Sequence, residues 1–491
     1  MDPIHAKRSK MDLNSAKKIK IPKDRFSKLP DDILSLILYF LPMREAFRTS
    51  VLSYRWRYLW KDSLKFYSSL VLDVNGMRDS EYTDSILESK KKLSIERYKF
   101  ARWVDQMLHL DYGPLLDTFR LRFEMRNDFS HYIDRWISVA IAKRVQKFDI
   151  DLSEFLQWGI CPNNKLYRFP SRLFTKEAVA LVNCLYLNSC VLGTLDFKCF
   201  SSLIDLKLNN VLVDQDTVAK FLTECPNLER MWLVACYRFH SLTISGSSLK
   251  LKELAIVRNP CLRDVEINAK NLNKLEFRGV PVKFSFVNAP VLSNVSLVCS
   301  NGCTDSFALQ YVLGNLSSDL PKLETLFVVV NHLKVNIIPN KLSPYINLKK
   351  LVLKVVVTDP SLWGLVPLLC AAPRLQVLEL HWHLPLGEKS KSSFSKGQRP
   401  SDSPHPHLKE ILVTGFYGSN YELEFMQYIF GNCEALQSIT LDSRCKVYHL
   451  HGLCDAHHTA EWVSEMKKIM QRRVRKLLMP VVPSRVQLTI L

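Results

Sequence analysis

Residues 251–277 read LKELAIVRNPCLRDVEINAKNLNKLEF. The spacing L-x-x-L-x-L occurs twice in this stretch, as Leu251/Leu254/Ile256 and Leu272/Leu275/Phe277. Its last two apolar residues are two apart, the period that places side chains on one face of a strand. The triplet recurs upstream as Leu203/Leu206/Leu208 and Leu228/Met231/Leu233. Downstream it returns as Leu292/Val295/Leu297, Leu323/Leu326/Val328, Leu348/Leu351/Leu353 and Leu375/Leu378/Leu380. First positions are 25, 23, 21, 20, 31, 25 and 27 residues apart. A unit that short cannot bury its own apolar face. Successive units must therefore stack, each adding one strand to a parallel sheet over a shared core.

The periodicity predicts an α/β chain built around a leucine-rich repeat solenoid with a parallel sheet. Between the main strands lie His240–Ile244, Arg263–Ile267 and Lys283–Val287, in step with the repeat. These repeats leave no room for a helix on the return path, so a second, shorter run of strands is expected on the opposite face. Longer repeats can hold helices, for example over 361–371. Strand alternation turns the residues flanking the second and third apolar positions outward. Trp232, Arg278, Phe327, Lys354, Glu379 and His381 occupy such places and are the candidate target-binding residues, because exposed aromatics and arginine suit interface anchors.

Ahead of the repeats stands LPDDILSLILYFLPMREAFRTSVLSYRWRYLW, residues 29–60. Pro30 suits a first helical position, and Asp31 and Asp32 suit the positive end of a helix dipole. Ile33, Leu34, Ile37, Leu38 and Leu41 share one helical face, and Pro42 stops the helix. A second run carries Phe47 and Val51, and Ser53 can cap a third with Trp56, Leu59 and Trp60 on one side. Three such short helices make a core too small to stand alone comfortably. The residues L-P-D-D-I-L, F-L-P and R-T-S-V-L-S-x-R-W-R-x-L-W resemble the F-box of plant F-box proteins, departing at Tyr54, where a lysine or similar polar residue is usual. The resemblance implies docking on a Skp-type adaptor, and through it on a cullin, in a ubiquitin ligase. The adaptor-binding candidates are Leu29, Pro30, Ile33, Leu34, Ile37, Leu38, Leu41, Pro42, Val51, Leu52, Trp56, Leu59 and Trp60. The alternative is a nuclear interaction scaffold that binds acidic partners without a ligase.

The chain divides accordingly into a basic disordered tail (1–23), the F-box (24–62) and a helix-and-strand transition (63–144). The repeats (145–385), a Ser/Lys/Pro-rich loop (386–406) and a small α+β C-terminal unit (407–491) follow. Within the transition, 63–94 reads as a polar connection, 96–110 and 132–143 as helices, and 118–123 as a strand. In the last unit His407–Ile411, Gly415–Gly418, Glu422, Glu424–Phe425, Tyr428, Asn432 and Leu436-x-x-Ile439 resemble the FBD domain that follows the repeats in many plant F-box proteins. It reads as strand, helix (423–431), strand, basic helix (460–478) and closing strand (486–491), and a cap for the solenoid is one role it can fill.

The formal net charge is +19. Residues 1–28 hold nine Lys/Arg against three Asp, and Lys7-Arg8 with Lys17, Lys18 and Lys20 resemble a two-part nuclear import signal. The expected location is the nucleus, the cytoplasm or both. Neither this tail nor the cluster Lys467–Lys476 interleaves aromatics with cations, so nucleic acid is not favoured. The first 28 residues lack a signal peptide's apolar core, and no apolar run approaches the ~20 residues that span a bilayer, so no membrane partner is expected. Thirteen cysteines without a C-x2-C pair fit a reducing compartment. Cys445, His449, His451, Cys454, His457 and His458 do not follow a familiar zinc spacing and are read as ordinary surface histidines beside buried cysteines. With no phosphate-loop, zinc-protease or hydrolase motif in the chain, no catalytic residue, metal or cofactor is expected.

Overall fold

A computed structural model of the 491-residue chain describes residues 28–41, 43–73, 90–110, 112, 116–153, 165–174, 181–193, 197–246, 248–299, 311, 314–333, 342–357, 362–383, 403–449, 452–455 and 460–491. Lys7, Arg8, Lys17, Lys18, Lys20, Pro42, His451, His457, His458 and most of the Ser/Lys/Pro-rich stretch lie outside the described residues. Two compact units separate, one of residues up to 67 with 109–114, the other of residues 68–108 and 115–491.

In the first unit, helices α1 (Asp31–Tyr39), α2 (Met43–Arg48) and α3 (Tyr54–Ser63) pack together, with a 3-10 turn, Thr49–Val51, extending α2. Pro30 precedes α1 at the N-cap, one residue ahead of the expected position, and Asp31 and Asp32 fill the first turn. Ser53 caps α3 by accepting a hydrogen bond from Trp56 N at 3.3 Å. Arg55 ties α3 to the start of α1, its Nε donating to Asp31 Oδ1 at 2.7 Å and its Nη2 to the Leu29 carbonyl at 2.6 Å.

The second unit is built on one parallel sheet of 15 strands in chain order, described here as β1 to β15. The first eight are β1 (Ser69–Asp73), β2 (Thr118–Arg122), β3 (Lys147–Asp151), β4 (Cys184–Asn188), β5 (Asp205–Asn209), β6 (Arg230–Val234), β7 (Glu253–Val257) and β8 (Lys274–Gly279). Then come β9 (Asn294–Cys299), β10 (Thr325–Leu333), β11 (Lys350–Val357), β12 (Val377–His383), β13 (Glu410–Thr414), β14 (Ser438–Asp442) and β15 (Gln487–Ile490).

The register explains the repeat. Leu206, Met231, Leu254 and Leu275 pair in one row, and Leu208, Leu233, Ile256 and Phe277 in the next. From β1 to β14 no residue of these two rows is more than 4% exposed. Each such side chain contributes roughly 1.5–3 kcal/mol of burial, and the rows run unbroken across the sheet.

The sheet is longer than the eight triplets. The stretch 63–94, read as a polar connection, contains β1, because Leu70 and Leu72 continue both apolar rows. At the far end β13, β14 and β15 extend the same parallel ladder through 407–491. The terminal cap is therefore made from further turns of the same sheet.

The return paths also follow repeat length. Ser241–Ser245, Asp264–Asn268 and Lys283–Asn288 form a separate three-stranded parallel sheet, as the short repeats require. Leu242, Ile244, Val265 and Ile267 point into the core. Elsewhere there are helices. Ahead of the first triplets, α4 (Lys90–Leu108) and α5 (Ser130–Ala142) pack Phe100 and Trp136 inside, with Arg97 and Glu124 as a buried ion pair. The α6 helix (Gln215–Glu224) buries Val218, Phe221 and Leu222 and is capped by Asp214, which accepts from Thr217 N at 2.7 Å. Asp214→Ala should remove about 1 kcal/mol of stability in urea unfolding, the ordinary value of such a cap. The expected 361–371 helix is a 3-10 turn, Leu362–Leu365, running into α7 (Val366–Cys370). The last turns carry α8 (Asn420–Asn432), whose Ser419 and Glu422 form a capping box, and α9 (Ala460–Arg473), which continues as a π-helical turn to Leu478.

Candidate interaction surfaces

The helical unit turns large apolar side chains outward. Val51 is 83% exposed, Leu52 66% and Phe40 76%. Val51 and Leu52 sit where the chain leaves α2 for α3, a turn with too few residues to fold either side chain back under the helices. Pro30, Ile33 and Leu41 are also exposed, while Leu29, Ile37 and Trp56 are half-buried. Leu34, Leu38, Leu59 and Trp60, expected on the adaptor surface, are buried and form the core of this unit. Ser35 Oγ reaches the Leu59 carbonyl at 3.4 Å, and Phe47 packs edge-on against Trp60 at 5.1 Å. Five further exposed residues were missed: Leu36, Phe40, Phe47, Tyr58 and Phe66. Tyr54, the departure from the family pattern, is exposed and tilts against Tyr58, ring centroids 4.9 Å apart, receiving its hydroxyl hydrogen bond at 2.9 Å.

On the sheet, the outward positions form three rows set by the register. Trp232, Phe327, Lys354 and Glu379 are half-buried at its surface. Arg278 and His381 are not available: only 8% and 3% of each is exposed. Both lie in the row after the triplet, where Arg278 stands between Val257 and Val298, themselves buried. His381 is held inside by Thr414, Oγ1 to Nδ1 at 2.9 Å. The facing His381 imidazole, and Lys350 Nζ 2.6 Å away, hold the Glu379 carboxyl down to about 2. That carboxylate is already engaged.

A second cluster, unforeseen from the triplets, spans β3 to β6. Tyr186 donates its hydroxyl to Asp205 Oδ2 at 2.8 Å, and Arg230 Nε donates to the same oxygen at 3.0 Å. Lys147 Nζ lies 4.7 Å from the centre of the Tyr186 ring, within cation–π range. Burial, then the hydrogen bond to Asp205, pushes the tyrosine hydroxyl far above its ordinary range, so it stays a donor. Lys207 and Trp232 occupy the next two positions of that row. Lys207 could have been found from its place between Leu206 and Leu208, the slot that singled out Trp232.

Of the six cysteines and histidines from Cys445 to His458, only the Cys445 side chain is described. It is buried, 2.8 Å from the Tyr417 hydroxyl, and burial raises its thiol. Among the described residues no helix is long and apolar enough to cross a membrane.

A three-helix unit with an apolar turn, joined in one chain to a parallel leucine-rich solenoid, defines a class: F-box proteins with repeats. A family model for the F-box domain matches residues 26–67, and one described as At1g61320/AtMIF1, LRR domain, matches 108–491. The chain belongs to the F-box/leucine-rich-repeat family, whose members are in general non-catalytic adaptors. It is similar to the F-box/FBD/LRR-repeat protein At2g04230 of Arabidopsis thaliana, 26% identical over 444 residues, covering 86% of this chain and 89% of the relative. The Arabidopsis thaliana F-box/FBD/LRR-repeat protein At3g52680 is 28% identical over 450 residues, 87% of each chain. Among solved structures, a leucine-rich repeat protein of Leptospira interrogans aligns over 87% of this chain and 97% of its own at 14% identity, with a TM-score of 0.31.

Proposed function

We propose that the chain is the substrate-recognition subunit of a Skp–cullin–F-box ubiquitin ligase. The observation that carries this reading is the exposed Val51-Leu52 turn: two apolar side chains held in water at the end of a helix are stabilised by a partner's apolar surface. The adaptor covers this turn and neighbouring residues of α1 and α3. The sheet holds a target protein, and the assembly brings that target to a ubiquitin-charged enzyme. The chain itself contributes proximity, raising local concentration instead of making or breaking bonds.

Co-expression with a plant Skp-type adaptor and a cullin tests this. The wild-type chain should elute with both as one particle, and Leu29→Ala/Pro30→Ala should release the chain alone. A folded wild-type chain that elutes apart from every adaptor tried would leave an interaction scaffold as the better reading.

A further inference from the structure

We propose that the stretch of sheet formed by β3 to β6 is where the target is recognised, and that it takes an acidic linear segment carrying an aromatic or large apolar anchor. This rests on the reading of the repeats as the target-holding part. Three consecutive positions of one outward row are Tyr186, Lys207 and Trp232, and the fourth is Ala255, which is small and buried. Trp232 is half-buried at the sheet surface, and the part of its indole that remains exposed is the seat for the anchor.

The charges decide the chemistry. The carboxylates of these strands are matched within the sheet: Asp149 by Arg120 at 2.7 Å, Asp151 by Arg122 at 3.3 Å and Asp205 by Arg230 at 3.0 Å. Two cations are left over. Lys147 faces the Tyr186 ring, and Lys207, exposed, has no carboxylate partner among the described residues. An incoming carboxylate therefore meets uncancelled positive charge, whereas an incoming ammonium meets carboxylates already paired. Tyr186 is also held in place before binding by Asp205 and Lys147, so little side-chain freedom is lost when it is covered. Tyrosine, tryptophan and arginine together are the residue types that concentrate binding energy at interface centres.

The probe is a phage-displayed library of random 12-residue peptides, panned on the intact chain, with enriched peptides synthesised and titrated by fluorescence anisotropy. Enriched peptides should carry Asp or Glu around a Trp, Tyr, Phe or Leu, and their binding should weaken as salt rises. Lys207→Glu should weaken them at least tenfold, and Trp232→Ala by a similar factor. Lys207 is exposed, so that variant keeps the wild-type melting temperature and separates lost recognition from lost folding. Failure to enrich any peptide, enrichment of basic or neutral ones, or acidic binders indifferent to both substitutions would each overturn the proposal. Adaptor binding is read on the same variants through the helical unit: its loss in the wild type, with peptide binding retained, counts against the ligase reading alone.

Discussion

Val51→Asp/Leu52→Asp should lower the affinity of the chain for a Skp-type adaptor by at least about 100-fold. Burying a valine or leucine side chain is worth roughly 1.5–3 kcal/mol, and tenfold in affinity is about 1.4 kcal/mol. Loss of both, with two carboxylates placed against an apolar surface, exceeds the two decades claimed. The same double substitution should leave stability within about 0.5 kcal/mol of wild type, because both side chains are exposed and touch no core. Leu34→Asp makes the contrast: Leu34 is fully buried, so that change should unfold the helical unit. Titration calorimetry with purified adaptor, beside thermal melts of each variant, separates the two effects. Binding by the double variant within threefold of wild type would mean the turn is not the docking site.

Gly415→Ala should cost about 3 kcal/mol or more. Gly415 follows β13 with a φ of +73°, a conformation that costs other residues roughly 1–2 kcal/mol. A Cβ there would also stand 2.1 Å from the Trp382 carbonyl oxygen and 3.3 Å from Cys445 Sγ. The first contact is with backbone, so no side-chain rotation relieves it, and β12 and β13 would have to part. Gly418→Ala supplies the comparison. Its φ is +75°, but the nearest atom to an added Cβ is Arg473 Cβ at 3.2 Å, a contact that a shift of a few tenths of an ångström relieves. That variant should lose little more than the backbone term. Because each turn of a solenoid leans on its neighbours, the damage from Gly415→Ala should appear first as faster amide exchange in 377–445. Equal urea midpoints for Gly415→Ala and Gly418→Ala would contradict this account of the turn.

Most of the solenoid was legible because leucine opens each of the eight central triplets and is the commonest residue at their other two inward positions. The ends were harder to read because other apolar residues do the same work. Phe119 stands where a leucine is expected in β2, Ile411 and Ile439 in β13 and β14, and all three are buried. A pattern defined by burial tolerates those exchanges, whereas one defined by leucine does not. The short back strands were legible for a different reason: 20–23 residues per turn leave no length for a helix.

The surfaces were only half legible. Helical spacing groups Leu34 and Leu38 with Ile33 and Ile37, but spacing alone does not tell whether a face meets its own helices or another protein. Burial within the bundle separates them. Similarly, alternation places Arg278 and His381 on the outer face of the sheet, yet their neighbours in register decide that they are covered. Tyr186 was passed over because its repeat opens with Val182 in place of leucine, although Leu185 and Leu187 flank it as the pattern demands.

Hydrogen–deuterium exchange of the intact chain, with and without a purified plant Skp-type adaptor, locates the docking surface along the chain. Protection should be confined to residues 29–66, strongest across 47–58, with exchange in the sheet strands unchanged. Unaltered exchange across 29–66 in a mixture where the two proteins co-elute, or protection that falls on the sheet instead, would contradict this placement.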